Sequence, residues 1–512
     1  MLNPQVLRKD ARAIANEAGG LAHALDARHA LAQLALTGTT NDVYYVDAST
    51  QVDQLLAQCF KVPASFVAQT AVYAREHGRM KDVPVLLLAW LASFDGELCE
   101  RVFDRVIDNG AQLRSFVQVL RSGLVARKSL GTRPKRLVQR WLERASDEML
   151  IQAMVGNAPS LADVIRMVHP RASSVERNAL YAYIIGKPVD LGLLPQALQD
   201  FESFKRGSTQ TLPKLPFQML TAQPLSREQW MAIAEQAGWT MTRMNLNTFA
   251  RHGVYESAQM VRKIAARLAD PQLLRKAMAF PYQLLTTWRA TGELPAEIRE
   301  ALRVATDLAV QNVPKLAGTV AVAVDVSGSM VSPVTGHRQG ASTATRCVDV
   351  AGLMAAAVLA RNPGAVVLPF NDRVRPWARP ASNSVIETAQ ALAALLGGGT
   401  AVSAPLAELN RMGLAPDTVL IMSDNQSWMD ARAGRETATQ AEWRTLRRRN
   451  PTARLICIDL QPYTHTQAPD DAAVLNVGGF GDQLWQVIAG FSHGLDPRAS
   501  FVGAVERVKL SE

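Results

Sequence analysis

The chain lacks a long hydrophobic run. Its 512 residues contain no uncharged apolar stretch of about 18 residues, the length that a membrane-spanning helix needs. The first ten residues carry Arg8, Lys9 and Asp10 in place of an apolar signal core. We therefore expect a cytoplasmic protein that makes no contact with a membrane.

Cysteine is scarce as well. The four cysteines, Cys59, Cys99, Cys347 and Cys457, lie far apart and form no C-x-x-C pair. This spacing argues against a zinc cluster and against a disulfide framework. We expect four reduced thiols in the protein core.

Excess acidic charge is absent, and the formal net charge is +9. Residues 1 to 320 hold 38 Lys and Arg against 29 Asp and Glu, whereas residues 321 to 512 hold 17 of each class. The whole excess is therefore N-terminal. A basic domain attracts polyanions such as RNA, although many basic surfaces are simply solvated.

The N-terminal part, from about residue 5 to 312, has apolar residues at helical spacing. One example is Val102, Phe103, Val106 and Ile107. Strand-like alternation is nearly absent, and prolines divide the region into predicted helices of about 10 to 20 residues. Without a repeated signature of fixed period, helix number and length alone favour an irregular HEAT-like solenoid.

The pattern changes after Pro314, where short apolar runs alternate with helices. Strands are predicted at 319–324, 365–370, 418–422 and 453–458, and helices at 345–359, 436–448 and 482–489. This alternation predicts a parallel sheet covered by helices on both faces, the doubly wound α/β arrangement. The expected domains are a helical module at 1–316, an α/β domain at 317–495 and a tail at 496–512.

Acidic and hydroxyl side chains occur in three loops of this domain, which we expect to converge at the ends of strands. They are Asp325, Ser327, Ser329, Thr400 and Asp424. Ligands of open α/β sheets gather at the carboxyl ends of the strands, and hard oxygen donors suit Mg²⁺. The sequence thus predicts a divalent-cation site, the competing interpretation being a turn whose serines cap the next helix.

No catalytic constellation accompanies these residues. A hydrolytic magnesium site needs further acids or a base to position water, and the neighbouring loops offer Asn371, Asp372, Asn425 and Trp428 instead. Binding is favoured over catalysis.

A second group of candidate residues is basic. Eight cations without an intervening acid are Arg114, Arg121, Arg127, Lys128, Arg133, Lys135, Arg136 and Arg140. A breaker segment at 131–134 interrupts them, and Arg166, His169 and Arg171 follow nearby. Such a cluster suits a phosphate backbone, but a charge run is more often a solvated face.

Two family resemblances follow from these motifs. Asp325-Val326-Ser327-Gly328-Ser329 with Thr400 and Asp424 resembles the metal-ion-dependent adhesion site of von Willebrand factor A domains, over about 317–490. In that family the serines and the threonine touch the ion directly or through water, and the acids complete the shell. The resemblance implies an open coordination position for an acidic protein ligand.

Nearly the whole chain resembles the Ro autoantigen family. The resemblance rests on the motifs Asn41-Asp42-Val43-Tyr44-Tyr45-Val46, Ala126-Arg127-Lys128-Ser129-Leu130 and 163–171. It also rests on the order of domains, a helical region, called the TROVE module in that family, before the D-x-S-x-S domain. The family implies a ring of helical repeats closed by the von Willebrand domain. It also implies small non-coding Y RNAs on the outer surface, single-stranded 3′ ends of misfolded or immature RNAs in the central hole, and a Y-RNA tether to an exoribonuclease such as polynucleotide phosphorylase.

Residue by residue, His169 matches the family histidine associated with RNA contact and Arg166 a basic neighbour. The segment 152–159 departs from the family by lacking Lys and Arg. The sequence therefore predicts a non-catalytic RNA-binding scaffold for RNA quality control. Two alternatives are a metal-dependent adhesion adaptor of the kind that works beside AAA+ ATPases, with no RNA role, and a magnesium-dependent hydrolase.

Overall fold

The computed structural model contains two compact units. Unit 1 comprises Met1–Lys61, Ala237–Arg251 and Tyr255–Arg507, and unit 2 comprises Val62–Gln236, His252–Val254 and Val508–Glu512. The structure describes residues 13–16, 18–37, 47–277, 279, 281–311, 313–334, 345–382, 384–424, 426–427, 429, 437–461, 463–468, 471–479, 482–494 and 502–510. The motif at 41–46 lies outside these residues.

Eight strands are present in the described residues, all within unit 1. They are β1 Ala13–Ala15, β2 Leu21–Ala24, β3 Val320–Asp325, β4 Val366–Phe370, β5 Thr418–Ser423, β6 Arg454–Asp459, β7 His465–Thr466 and β8 Val474–Gly478. Five of them form a parallel sheet in the order β4-β3-β5-β6-β8. The predicted doubly wound sheet is thereby confirmed.

Both faces of this sheet are buried, as a parallel sheet requires. Alternate residues such as Ala321, Val419 and Leu455 pack with Leu406 and Trp443 from two covering helices. The intervening strand residues are buried on the opposite face. Because successive side chains point to opposite faces, near-continuous apolar strands are the expected sequence of such a sheet.

A second, three-stranded sheet in unit 1 has the order β1-β2-β7. Its strands are antiparallel, with His23 paired to Thr466 and Ala24 to His465. Two of these strands lie before residue 312, where the near absence of strand-like alternation predicts helices, so that prediction is wrong for residues 13–15 and 21–24. These strands are only two to four residues long, too short for alternation to be visible.

The described helices number twenty-five. They are α1 Ala27–Thr37, α2 Ala48–Cys59, α3 Ala64–Glu76, α4 Val83–Phe94, α5 Gly96–Val106, α6 Gly110–Ser122, α7 Thr132–Arg144, α8 Asp147–Ala153, α9 Leu161–Val168, α10 Val175–Ile184, α11 Gln196–Lys205, α12 Phe217–Leu220, α13 Arg227–Gln236, α14 Trp239–Met244, α15 Leu246–Arg251, α16 Ala258–Leu268, α17 Pro271–Ala277, α18 Pro281–Ala290, α19 Ala296–Val310, α20 Cys347–Arg361, α21 Val385–Ala393, α22 Ala404–Arg411, α23 Ala438–Arg449, α24 Asp482–Ser492 and α25 Val502–Glu506. Short 3₁₀ turns lie at Leu191–Leu193, Val254–Glu256 and Gly328–Val331.

The helical character of the N-terminal region is confirmed, but many helices are shorter than the predicted 10 to 20 residues. The helices before β3 range from four residues in α12 to fifteen in α19. The predicted breaker at 131–134 also needs correction, since α7 starts at Thr132 and includes Pro134 in its first turn. Proline is tolerated there because the first helical N–H groups have no intrahelical partner.

No helix in the described ranges is long and apolar enough to cross a bilayer. The HEAT-like arrangement and the domain boundary at 316/317 remain predictions.

Candidate metal centre and nucleic-acid interface

The D-x-S-x-S segment lies at the carboxyl end of β3, as predicted. Asp325 ends the strand, and its Oδ1 accepts a hydrogen bond of 2.8 Å from the Ser327 backbone N–H. The Ser327 and Ser329 hydroxyl oxygens lie 3.3 Å apart. All three side chains are buried, so the strand end and the following 3₁₀ turn direct one acid and two hydroxyls into one enclosed place.

The glycine loop that carries Thr400 lies directly against this segment. The Gly397 N–H donates to the Val326 carbonyl oxygen at 2.7 Å, and the Gly328 N–H donates to the Gly398 carbonyl oxygen at 3.0 Å. Gly398 has φ +90°, and a Cβ there would lie 2.6 Å from Nδ2 of Asn371. Glycine is therefore required for the approach that brings buried Thr400 to the site.

Asp424 directly follows β5, the strand next to β3. Chain order reverses between β3 and β5, since β4 lies on one side of β3 and β5 on the other. That position is the topological switch point where open α/β sheets bind ligands. Tertiary structure thus brings the Asp325, Thr400 and Asp424 loops together, and the metal-ligand role of the five residues remains a prediction.

The two buried carboxyl groups have perturbed titration. Burial, reinforced by the nearby Asp424 charge, raises the pKa of Asp325 to about 7 against hydrogen bonds from Ser327 and Ser423. Burial also raises the pKa of Asp424, which outweighs the opposing effect of the Ser329 hydroxyl. Simultaneous ionisation of two carboxyl groups in one buried site is unfavourable unless a cation balances their charge.

The donor set fits a hard divalent cation. Oδ2 of Asp424 is buried and has no hydrogen-bond partner within the described part of the chain. No group of three or more His, Cys, Asp or Glu side chains suited to a metal occurs among the described residues. An ion here would depend on two carboxylates and three hydroxyls, which is chemistry typical of Mg²⁺.

Sequence reasoning missed residues that support the two acids. Ser423 donates to Oδ2 of Asp325 at 2.5 Å, and the Gln426 N–H donates to Oδ1 of Asp424 at 3.3 Å. Asn371 holds the glycine loop through a 2.7 Å bond to the Gly397 carbonyl oxygen. Asp372 is exposed, while Asn425 and Trp428 lie outside the described residues. Adjacency to Asp424 was the available signal for Ser423 and Gln426.

The basic candidates all lie in unit 2, and they do not form one class. Arg114 on α6 donates to the carbonyl oxygens of Val155 at 2.6 Å and Pro159 at 3.4 Å. Its guanidinium has a lowered pKa because of burial. Arg114 therefore supports the loop between α8 and α9, so it is not the free cation that the charge run suggested.

Two further members of the run have protein partners. Arg140 on α7 lies 3.4 Å from Glu100 and 3.5 Å from Asp104, and Arg127 donates to the Leu130 carbonyl oxygen at 3.1 Å. The sequence contains no acid between 114 and 140, yet tertiary packing supplies acids from α5. Periodicity within one segment does not reveal which other helix faces it.

The remaining five cations of the run are available to bind a ligand. Arg121, Lys128, Arg133 and Arg136 are exposed and Lys135 is half-buried. Their side chains have no ion pair or hydrogen bond within the part of the chain that the structure describes. They extend from the end of α6 through the connecting loop to the first turns of α7, and we call these five residues the free basic surface.

The 166–171 motif packs beside the same helix. Gln139 on α7 donates to the Val168 carbonyl oxygen at 2.6 Å, and the Arg171 N–H donates to Glu143 at 3.0 Å. His169 is exposed and caps α9 with left-handed backbone, φ 54° and ψ 66°.

The cations of this motif differ in availability. Arg166 donates to the Ile185 carbonyl oxygen at 2.6 Å and lies 3.4 Å from Asp163, whereas the Arg171 side chain is exposed. Tertiary structure thus places His169 and Arg171 against the helix that carries Lys135 and Arg136.

Comparisons with known proteins match the chain at two scales. A family model described as the Ro60 vWA domain matches residues 319–492. RNA-binding protein RO60 of Deinococcus radiodurans is 24% identical over 548 residues, covering 96% of this chain and 97% of that protein. The crystal structure of the Deinococcus radiodurans RO (RSR) protein has a similar fold, with a TM-score of 0.62, 20% identity, and coverage of 92% of this chain and 100% of that chain.

Proposed function

We propose that the chain is an RNA-binding scaffold of the Ro family without catalytic activity of its own. Its similarity to a protein named as RNA-binding extends over nearly both full lengths, so the shared region is more than the von Willebrand part. The observation that carries the proposal is the free basic surface, whose Lys135 and Arg136 lie on α7, the helix that packs against the His169 motif.

The charge of this surface is suited to a phosphate backbone. Elsewhere in unit 2, cations such as Arg75, Arg101 and Arg144 pair with acids. The five cations of the free basic surface lack such pairs among the described residues. Unpaired cations are available to replace the counterions that surround a nucleic acid, which drives association.

His169 adds a directed contact. A residue other than glycine in left-handed backbone is strained by about 1 to 2 kcal/mol, and glycine is the usual residue at this position after a helix. An exposed histidine there has no core to stabilise it. We infer that its exposed ring contacts RNA through stacking or a hydrogen bond.

We extend the proposal to the RNA classes and partners that the family resemblance implies. These are a small non-coding, Y-like RNA, single-stranded 3′ ends of misfolded or immature RNAs, and an exoribonuclease such as polynucleotide phosphorylase. A cytoplasmic setting, suited to four buried free thiols, belongs to the same proposal.

The metal centre belongs to the proposal as a separate binding site. Asp325, Ser327, Ser329, Thr400 and Asp424 would hold Mg²⁺, which supplies a Lewis-acidic point of attachment for an acidic protein ligand. The chain's own part is to bury the two acids and orient the hydroxyls. A metal-dependent adaptor without RNA binding is disfavoured, because it gives no reason for an N-terminal excess of nine positive charges.

The decisive experiment compares two charge-matched quadruple variants. Replacing Lys128, Arg133, Lys135 and Arg136 with Gln removes four free cations. Replacing Arg101, Arg140, Arg144 and Lys205 with Gln removes four cations that pair with acids in the same unit. Binding of a labelled single-stranded oligouridine and of a stem-loop RNA is measured across salt concentrations.

The first variant is expected to bind the oligouridine weakly, and its slope of log affinity against log salt should flatten by up to about 3, since each lost contact contributes about 0.7. The control should retain most of the wild-type slope. Equal losses in both variants would show that only net charge matters, and unchanged binding in the first would make the free basic surface an ordinary solvated face.

A further inference from the structure

The turn of the β1–β2 hairpin lies against the loop that follows Asp424, although residues 13–24 are far outside the matched von Willebrand segment. The turn is closed by Asn16, whose backbone N–H donates to the Gly20 carbonyl oxygen at 2.8 Å. Its side-chain Oδ1 accepts from the Gly20 N–H at 2.7 Å. Asn16 is buried, so the hairpin presents a fixed polar tip.

That tip contacts the loop that follows Asp424. Nδ2 of Asn16 donates to the Ser427 carbonyl oxygen at 2.9 Å, and the Ala18 N–H donates to Oε1 of Gln426 at 3.2 Å. A Cβ on Gly20 would lie 1.7 Å from the Ser427 carbonyl oxygen. The hairpin backbone therefore approaches this loop as closely as glycine permits.

The loop that the hairpin contacts is hydrogen-bonded both to Asp424 and to the loop that carries Thr400. The Gln426 N–H donates to Oδ1 of Asp424, while Oγ of Ser427 accepts from the Val402 N–H at 3.0 Å. The Met429 N–H donates to the Thr400 carbonyl oxygen at 2.9 Å. A shift of Gln426, Ser427 and Met429 would thus move both Asp424 and Thr400.

A third anchor fixes Gln426 from the other side. Its Nε2 lies 3.2 Å from Nε2 of His465 on β7, the strand that pairs with β2. Gln426 and His465 are fully buried. The small sheet therefore surrounds the Gln426 amide, with the hairpin turn on one side and β7 on the other.

We propose that the N-terminal hairpin, acting through Asn16, Gly20 and Gln426, is a positioning element of the divalent-cation centre. This inference rests on the proposed magnesium site. Outer-shell partners that orient metal ligands commonly change metal affinity by about 10- to 100-fold when they are removed. A von Willebrand segment of this chain without residues 13–24 would accordingly have an incomplete site.

The test measures Mg²⁺ affinity of the full chain by calorimetry in wild type, Asn16→Ala, Gly20→Ala and Gln426→Ala. Each should bind Mg²⁺ about 10-fold more weakly than wild type. Circular dichroism and the thermal midpoint in EDTA report whether each variant folds. The rise in midpoint on adding Mg²⁺ is recorded as a second readout, and it should shrink in the three variants.

Two controls lie in the same hairpin. Gly19→Ala strains a turn residue with φ +84° but has open space for a Cβ, and Ile14→Ala trims an exposed strand residue. Both should keep wild-type Mg²⁺ affinity within about 2-fold, even if the thermal midpoint in EDTA falls. Losses in Gly19→Ala equal to those in Gly20→Ala would reduce the hairpin to a general stabilising role.

The outcomes separate this inference from the proposal beneath it. A wild-type chain that fails to bind Mg²⁺ overturns the metal centre itself. A wild type that binds, with Asn16→Ala and Gly20→Ala folding and binding equally well, overturns only the positioning role of the hairpin.

Discussion

At the scale of single residues, burial decides what each candidate does. Asp325 and Asp424 would be ordinary surface acids in an open loop, but enclosure at the carboxyl ends of β3 and β5 raises both pKa values. Arg114 shows the reverse outcome, because enclosure turns a candidate RNA ligand into a support for the 155–159 loop. Residue type alone does not distinguish these roles.

The raised pKa of Asp325 predicts how stability depends on pH without metal. The folded-state value of about 7 lies above the unfolded value near 4. Its contribution to stability is thus fully present below about pH 4 and is lost as pH rises through about 7, with a slope of at most about 1.4 kcal/mol per pH unit. Asp325→Asn, which cannot ionise, removes this dependence.

The measurement is the free energy of unfolding in EDTA from pH 5 to 8 for wild type and Asp325→Asn. The difference in the free energy of unfolding between them should shift in favour of the variant as pH rises from 5, and it should level off above about pH 7. Mg²⁺ should restore wild-type stability above pH 7, because the ion binds the ionised acids, and should do little for the variant. Parallel pH profiles for the two proteins in EDTA would contradict the assignment.

At the scale of elements, the junction between α7 and α9 joins the charge run to the histidine motif. Gln139 and Glu143 on α7 hold the end of α9 through its backbone. The two segments are separated in sequence by α8, and only packing makes them one surface. The helical periodicity of each was visible in the sequence, whereas their adjacency was not.

A substitution at His169, the strained residue at the end of α9, is predicted to increase stability and to weaken RNA binding. His169→Gly should raise the free energy of unfolding by about 1 kcal/mol, since glycine adopts left-handed backbone without a steric penalty. The same change should weaken binding of the stem-loop or oligouridine RNA by removing the ring, with little effect on the salt slope. Chemical denaturation and RNA titration measure the two quantities.

A matched variant is His169→Ala, which removes the ring but keeps the strain. It should weaken RNA binding as much as His169→Gly without the gain in stability. If both variants bind RNA like wild type, then the histidine has no contact with RNA and the left-handed conformation has another cause.

At the scale of the whole molecule, charge and metal chemistry occupy different parts of the sequence. The proposed metal ligands lie in residues 321–512, which hold 17 basic and 17 acidic residues. The free basic surface lies in residues 1–320, which hold the whole excess of positive charge. The five proposed metal ligands belong to unit 1 and the free basic surface belongs to unit 2. RNA binding and metal binding should therefore be separable by mutation.

Asp325→Ala tests this separation and the absence of catalysis together. It should abolish Mg²⁺ binding and keep RNA affinity within a few-fold of wild type. Neither protein should cleave single-stranded RNA in the presence of Mg²⁺, as judged by gel electrophoresis after long incubation. Cleavage by wild type that disappears in Asp325→Ala would favour the magnesium-dependent hydrolase instead.

The sequence alone determined the doubly wound sheet, because continuous apolar strands between helices have few other ways to bury both faces. It also determined which oxygen donors follow those strands, since strand ends are visible as the limits of apolar runs. Tertiary structure decided which cations remain free, because acids on α5 that neutralise Arg140 are distant in sequence. It likewise decided that the β1–β2 hairpin adjoins the proposed metal centre, since strands of three or four residues carry no periodic signal and β7, the partner of β2, lies more than 400 residues away in the chain.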